Sequence, residues 1–328
     1  MSKMSRMKAG WLVAGASLVL IGGLMFACAM SALDWDISAL STESYTTSSY
    51  DITEQFEDIR ISTDTADIGI IPSDGEKIRV ECYERNNEAH SVTVSEGVLE
   101  IDVEDNRRWY EHVGISFHTP RISVYIPSGT YGALLIKTAT GDVSISSEMS
   151  FRSIDITEST GDVTNRASAS EGVSIRTNTG NVSVENITAG YVDLRVTTGS
   201  IKVEGVRCDG DVRANVTTGK ATMSDVSGRS VLSEGSTGSI SLVSTIASDK
   251  ITVSRTTGSI ALESCDASEL DLKTTTGSIR GSILSAKIFD ADTSTGSISV
   301  PESAGEGKCR LTTSTGSISI KVKNDGKV

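Results

Sequence analysis

Side chains that carry chemistry are scarce in this 328-residue chain. It has three histidines, none beyond residue 118, and five cysteines that form no C-x-x-C pair. Zinc-ribbon and dithiol chemistry therefore lack their ligand sets. No G-x-S-x-G, Walker-type loop, H-E-x-x-H or EF-hand pattern occurs, so hydrolases and nucleotide enzymes of familiar type lack their parts. Basic residues are outnumbered, 30 against 43, and the net charge of −13 opposes phosphate backbones, which excludes nucleic acid as a partner. Aromatic residues make up only 5% and proline only four positions, whereas glycine reaches 30. Burial must then come from small and β-branched side chains, a composition suited to narrow, repetitive β structure rather than one globular core.

The stretch from Ala9 to Leu33 contains no charged residue and is long enough to span a bilayer. Lys3, Arg6 and Lys8 precede it, while Asp34, Asp36 and Glu43 follow, so the positive-inside rule keeps the short tail in the cytoplasm and places the remainder outside. Trp11 and Trp35 stand near the two expected interfaces. These features predict a single-pass signal anchor. Two other tethers fit the same residues: cleavage after Ala27-Cys28-Ala29, a small-x-small sequence, and lipidation of Cys28. All three leave the chain after about residue 34 outside the cytoplasmic membrane.

From residue 139 onward a T-G-[S/D/N]-[V/I] signal recurs, with glycines at Gly141, Gly161, Gly180, Gly199, Gly219, Gly238, Gly258, Gly277, Gly296 and Gly316. The spacing is 19 or 20 throughout, which means stacked, near-identical units. Seven residues before each glycine the sequence is apolar in every copy, from Leu134, Ile154 and Val173 to Phe289 and Cys309. Five before it the column is apolar except at Ser233, and two after it the column runs Val143, Val163, Val182, Ile201, Ala221 and then Ile to the end. Period-two alternation before the glycine and a fresh apolar column after it give strand, glycine corner, strand and return loop.

Stacking such units in sequence order buries the columns and predicts an all-β parallel solenoid of about ten coils, roughly 48 Å long at about 4.8 Å per coil. Glycine supplies the backbone freedom at each corner, and the one-residue variation in period belongs to the return loops. A threonine precedes every corner glycine. Strand parity carries these threonines on the inward face, as a hydroxyl ladder that satisfies the corner. Lys321, Lys323 and Lys327 close the last repeat and discourage edge-to-edge association there.

Four segments are expected: 1–33, tail and membrane span; 34–57, an extracellular spacer; 58–128, an atypical first coil with a β cap; and 129–328, the solenoid. In the third, Ile59, Ile61, Thr65, Asp67, Ile68 and Ile70 repeat the coil pattern once, with Ala66 where glycine belongs. Alternating runs between residues 77 and 126, such as Ile78/Val80/Cys82 and Leu99/Ile101/Val103, suggest capping hairpins. The D-W-D-I segment, the stretch F-E-D-I-R-I-S-T-D-T-A-D-I-G-I-I-P-S-D and the T-T-G-S-I units resemble the bacterial adhesin-type family with β-strand repeats known as domain of unknown function 4097. The resemblance covers roughly residues 30–328, implies a surface β-solenoid and supplies no catalytic residues.

For function, these observations predict a non-enzymatic, membrane-anchored surface rod without a cofactor or a metal, acting as an adhesin or an envelope interaction scaffold. Two alternatives stay open: a cell-wall glycan-binding or glycan-processing solenoid, and a sensor arm of an envelope-stress pathway. The dense polar-aromatic cluster Arg107, Arg108, Trp109, Tyr110 and His112 is the partner-binding candidate, because Trp, Tyr and Arg dominate interface energetics. Closure of the cap over the first coils is the structural role open to the same residues. Asp155, Asp193, Asp271 and Asp290 share an outward column that suits a solvated face equally with acid–base work. From residue 129 on, Tyr131, Phe151, Tyr191 and Phe289 are the sole aromatics, a thin supply for stacking on sugars.

Overall fold

The computed structural model describes residues 3–32, 34–35, 45–75, 77–85, 88–105 and 119–323. Helix α1 (Lys3–Ala32) contains a window, Gly15–Ala32, with mean hydropathy 1.9, long and apolar enough to cross a membrane. The remainder is a parallel β-solenoid of about ten turns with an antiparallel cap. Nine strands build its first part: β1 (Tyr45–Ile52), β2 (Asp58–Thr65), β3 (Asp67–Pro72), β4 (Ile78–Arg85), β5 (Glu88–Ser95), β6 (Val98–Asp105), β7 (Arg121–Ile126), β8 (Gly129–Thr140) and β9 (Val143–Ile145).

Register follows the apolar columns. Ile154 lies between Leu134 and Val173, and Val163 between Val143 and Val182. All six are buried in one continuous core. The corner glycine is required twice over, as Gly219 illustrates. Its φ of 139° is a value that side chains oppose, and a Cβ there would fall on the carbonyl oxygen of Gly199 in the preceding coil. In the first coil Ala66 holds the glycine's place, and its backbone is not among those with positive φ.

The return segment carries more structure than a loop. Strand Val192–Cys208 turns two corners without interruption, at Gly199 and Gly205, so the middle coils have three walls. The second corner is a column of small polar residues in the left-handed region: Asn186, Gly205, Asp225, Ser244 and Ser264, with φ between 47° and 63°.

The threonines before the corner glycines are exposed, contrary to strand parity. The ladder skips one position, pairing Glu158 with Thr138 and then Thr160 with Thr140, so the chain bends before it reaches the glycine and alternation is lost. Backbone and not side chain then links these corners: the Gly161 amide donates to the Thr179 carbonyl at 3.0 Å. Hydroxyls do satisfy corners, from two residues earlier. Thr274 Oγ1 donates to Gly258 O and Thr313 Oγ1 to Gly277 O, both at 2.9 Å.

That inward column also holds two buried charges. Glu158 is 3% exposed and neither of its oxygens completes a hydrogen bond. Burial raises its carboxyl to about 7, with Asp142 and Asp162 adding to the rise and the Thr177 hydroxyl working against it. Arg255, 2% exposed, occupies the space left by the missing side chain of Gly235 and donates to the Val216 carbonyl beyond it.

Coil order departs from sequence order at both ends. β6 and β7 pair in parallel with β2 and β3 and form the outermost coil, although they follow β2 and β3 in the chain. β4 and β5 cover that coil antiparallel, and β1 pairs with β4, so residues 45–52 of the expected spacer belong to the cap. At the other end the Gly316 coil is inserted between the Gly277 and Gly296 coils: strand Gly307–Thr315 pairs with both Glu269–Thr276 and Lys287–Thr295. The repeat carrying Lys321 and Lys323 is therefore internal, and these lysines do not guard the rod's end. The end is the Gly296 coil, where Ile298 is 45% exposed in a column that is otherwise buried. The segment after it protects part of this edge, since Ser303 Oγ accepts the Phe289 amide and the Ala304 amide donates to Lys287 O.

Two measurements check this arrangement. Ile318→Ala should cost about 2–4 kcal/mol in urea unfolding, whereas Ile298→Ala, one repeat earlier in sequence, should cost under about 1 kcal/mol. Equal losses would restore sequence order. Because the folded-state value of Glu158 is raised, its contribution is fully present below the unfolded value of 4.5 and is lost as pH rises through about 7. The melting temperature of wild type relative to Glu158→Gln should fall across that window; a constant difference would place Glu158 in water.

Candidate functional site

Arg107, Arg108, Trp109, Tyr110 and His112 lie outside the described residues, as does His118. Their position in the chain is informative: they occur in the connection from β6 to β7, where every T-G coil has only a glycine corner. The two strands of the outermost coil are thus joined in sequence by residues 106–120.

Beneath the cap lies a polar cluster that sequence reasoning missed. Cys82 and Glu84 share one face of β4 by alternation, and β5 brings His90 opposite them. All three are buried, with their Sγ, carboxylate and ring-nitrogen atoms within 4.8 Å of one another. Such a trio could hold a metal ion. Its hydrogen bonds, however, are complete without one. His90 Nδ1 and its backbone amide both donate to Glu84 Oε2 (2.9 and 2.7 Å), Ser48 Oγ donates to Glu84 Oε1 (2.6 Å), and His90 Nε2 lies 3.1 Å from Thr63 Oγ1. Burial also pushes the Cys82 thiol up to about 12, away from the thiolate a metal would need. The network ties β1, β2, β4 and β5 together and is a lock for the cap. Alternation puts Val80, Cys82 and Glu84 on one face of β4, but nothing in that pattern points to His90.

The outward carboxylates are paired. Arg176 lies 3.7 Å from both Asp155 and Asp193, Lys250 lies 3.4 Å from Asp271, and Arg310 lies 3.3 Å from Asp290. No two of them form an isolated acid–base pair among the described residues. Of the four solenoid aromatics, Phe151 is buried, Tyr131 and Phe289 pack against the core, and Tyr191 stands out at 46% exposed.

Tyr191 lies at the third corner of its coil, and its ring rests against Gly172 of the preceding coil. Gly190 and Gly210 occupy this corner in successive coils and Arg229 follows them in the next, the Gly210 amide donating to Gly190 O and the Arg229 amide to Gly210 O, both at 2.8 Å. A gap without side chains, two coils long, results. Beside it a cavity of about 310 Å³ is lined by Tyr191, Asp193, Gly210, Asp211, Arg213 and Arg229. Asp211 is held by both arginines, Arg213 Nη2 at 3.1 Å and Arg229 Nε at 3.0 Å.

If the cap cluster is a hydrogen-bonded lock, Glu84→Ala strands His90 and Ser48 and should cost about 2–3 kcal/mol, with faster hydrogen exchange in β1 and β5. EDTA should leave the wild-type melting temperature unchanged; a fall on chelation would identify a metal centre instead.

The Toastrack DUF4097 family profile matches residues 56–228. No curated protein matches the sequence. Among solved structures, a putative adhesin from Parabacteroides merdae ATCC 43184 superposes with TM-score 0.50 at 11% identity, over 74% of this chain and 97% of its own. A putative adhesin from Parabacteroides distasonis ATCC 8503 superposes with TM-score 0.51 at 10% identity, over 83% of this chain and 98% of its own. At these identities the likeness is one of fold.

Proposed function

The chain belongs to the Toastrack DUF4097 family, and on that premise we propose that it is a membrane-tethered, non-enzymatic surface rod that acts through interactions, as an adhesin-like protein or an envelope scaffold. The observation that carries this reading is the apolar helix α1 placed ahead of a solenoid whose walls repeat with little variation. Basic residues stand at the start of that helix, ahead of its apolar window, and acidic residues follow it, which favours an outward-facing rod. The solenoid spends its sequence on stacking, and specificity falls to the places where the repeat is broken: the long β6–β7 connection and the third corner around Tyr191. Two proteins of like fold named as putative adhesins agree with this reading.

A glycan-processing role has less support, because the outward carboxylates are engaged by arginine or lysine and His90 is committed to the cap. The tether is tested by fractionating cells that express the chain with a C-terminal tag and weighing the mature protein. The expected result is a full-length, membrane-bound chain whose tag is digested by protease added outside intact cells. A tag protected until lysis would overturn the surface placement, and a shortened, released chain would replace the anchor with a cleaved leader.

A further inference from the structure

Four features at the third corner occur together in no other part of the described solenoid. Tyr191 presents one ring face to solvent while Gly172 supports the other. Glycines 190 and 210 clear a gap along the rod axis for two coils, about 10 Å at about 4.8 Å per coil. In the coils to either side of this gap exposed side chains return, Glu171 before Gly190 and Arg229 after Gly210. The polar side chains flanking it are braced: each oxygen of Asp211 accepts from a different arginine, and Arg195 holds Asp193 at 3.0 Å.

The chemistry of the lining narrows the occupant. Two aspartates and two arginines sum to no net charge, so the cavity selects neither a polyanion nor a cation. One aromatic ring offers too little apolar surface to dock a hydrophobic peptide or helix. A flat apolar face beside fixed carboxylates and guanidinium groups instead matches a neutral pyranose, whose C–H face stacks on the ring while its hydroxyls bond to the polar rim. Each guanidinium has five N–H donors and Asp211 uses only part of them, so donors remain for a ligand. A gap of about 10 Å along the rod, two coils at about 4.8 Å each, has room for about two such rings of a linear chain.

We infer that the Tyr191 groove is a binding subsite for a neutral, linear, pyranose-based glycan, with Tyr191 as the stacking platform and Asp193, Asp211, Arg213 and Arg229 as the polar rim. The assignment rests on the surface-rod reading for its biological setting, and its chemistry is independent of that reading.

Full-length protein in a detergent without a sugar headgroup is titrated calorimetrically with two probes, the β-1,4-linked hexasaccharides of N-acetylglucosamine and of glucose. A polygalacturonate oligomer serves as the charged comparison. Saturable binding of at least one neutral hexasaccharide is expected. Tyr191→Ala should weaken it by about tenfold or more, Tyr191→Phe by less than about twofold, and Asp211→Ala by several-fold. Tyr191 is a surface residue, so its variants should melt with the wild type, which separates lost binding from lost fold. No binding of either neutral probe, binding of the uronate alone, or a Tyr191→Ala protein that binds like wild type would each overturn the assignment. The two readings fail separately: a rod that faces the cytoplasm yet binds sugar refutes surface display, and a surface rod that binds none refutes the subsite.

Discussion

Every T-G coil rests on one close approach, that of a corner glycine to the carbonyl of the coil stacked beneath it. At Gly219 a side chain would meet the Gly199 oxygen, and the same relation passes from Ala66 through Gly141 and onward to Gly316 and Gly296. This contact fixes the vertical register, and register in turn stacks Ile on Ile and Val on Val without a large aromatic core. Amide–carbonyl bonds between corners, such as Gly238 to Thr257 at 2.8 Å, maintain it where the wall strands bend. A chain with few aromatic residues can therefore fill a long interior, because small and β-branched side chains in fixed places suffice, as Ala169, Val173, Ile175, Val182, Val184 and Ile187 do in the Gly180 coil.

The same economy limits where recognition can reside. Walls and corners that must match their neighbours have little freedom to encode a ligand. Freedom returns at the ends and at the third corner. Both ends use the same device: a later segment of the chain is placed outside or inside its sequence neighbour, so that β6 and β7 cap β2 and β3, while the Gly316 coil fills the space inside the Gly296 coil. Inserting the final repeat sets the end coil between two covalent connections, and it leaves Ile298 and part of the strand Lys287–Thr295 at the surface.

Much of this was legible in the residues. The columns beginning at Leu134, Ile136 and Val143 give walls and stacking direction, and Ala66 marks an irregular coil. What was not legible has physical causes. Strand parity places Thr160 inside, but a skipped ladder position before the glycine turns it outward and gives the inward place to Glu158. Coil order is invisible to spacing, because the Gly277, Gly296 and Gly316 repeats share one pattern at the same 19- or 20-residue period as the rest. The one local hint was Pro301, which stops the second strand of the Gly296 coil after Ile298-Ser299, as suits a terminal repeat. The second corner was open to reading from Asn186, Gly205, Asp225, Ser244 and Ser264, a small-residue column easily taken for loop composition. The cap cluster was not, since Glu84 and His90 meet only through an antiparallel hairpin whose register the sequence leaves free. Tyr191 was noticed as an aromatic, but its setting depends on glycines that become neighbours only after stacking.

The measurement that tests the stacking account most directly is paired cysteine cross-linking at the corners. Neighbouring parallel coils bring equivalent Cα atoms to about 4.8 Å, within disulfide reach. Ser278 and Ser317 are neighbours in the structure, with the Ser317 amide 3.3 Å from Ser278 Oγ, and Ser297 lies beyond, its Oγ 3.1 Å from that of Ser317. The pair Ser278→Cys with Ser317→Cys should therefore oxidise to an intramolecular disulfide, whereas Ser278→Cys with Ser297→Cys should not. Cross-linking of the second pair and not the first would show coils stacked in sequence order and contradict the account.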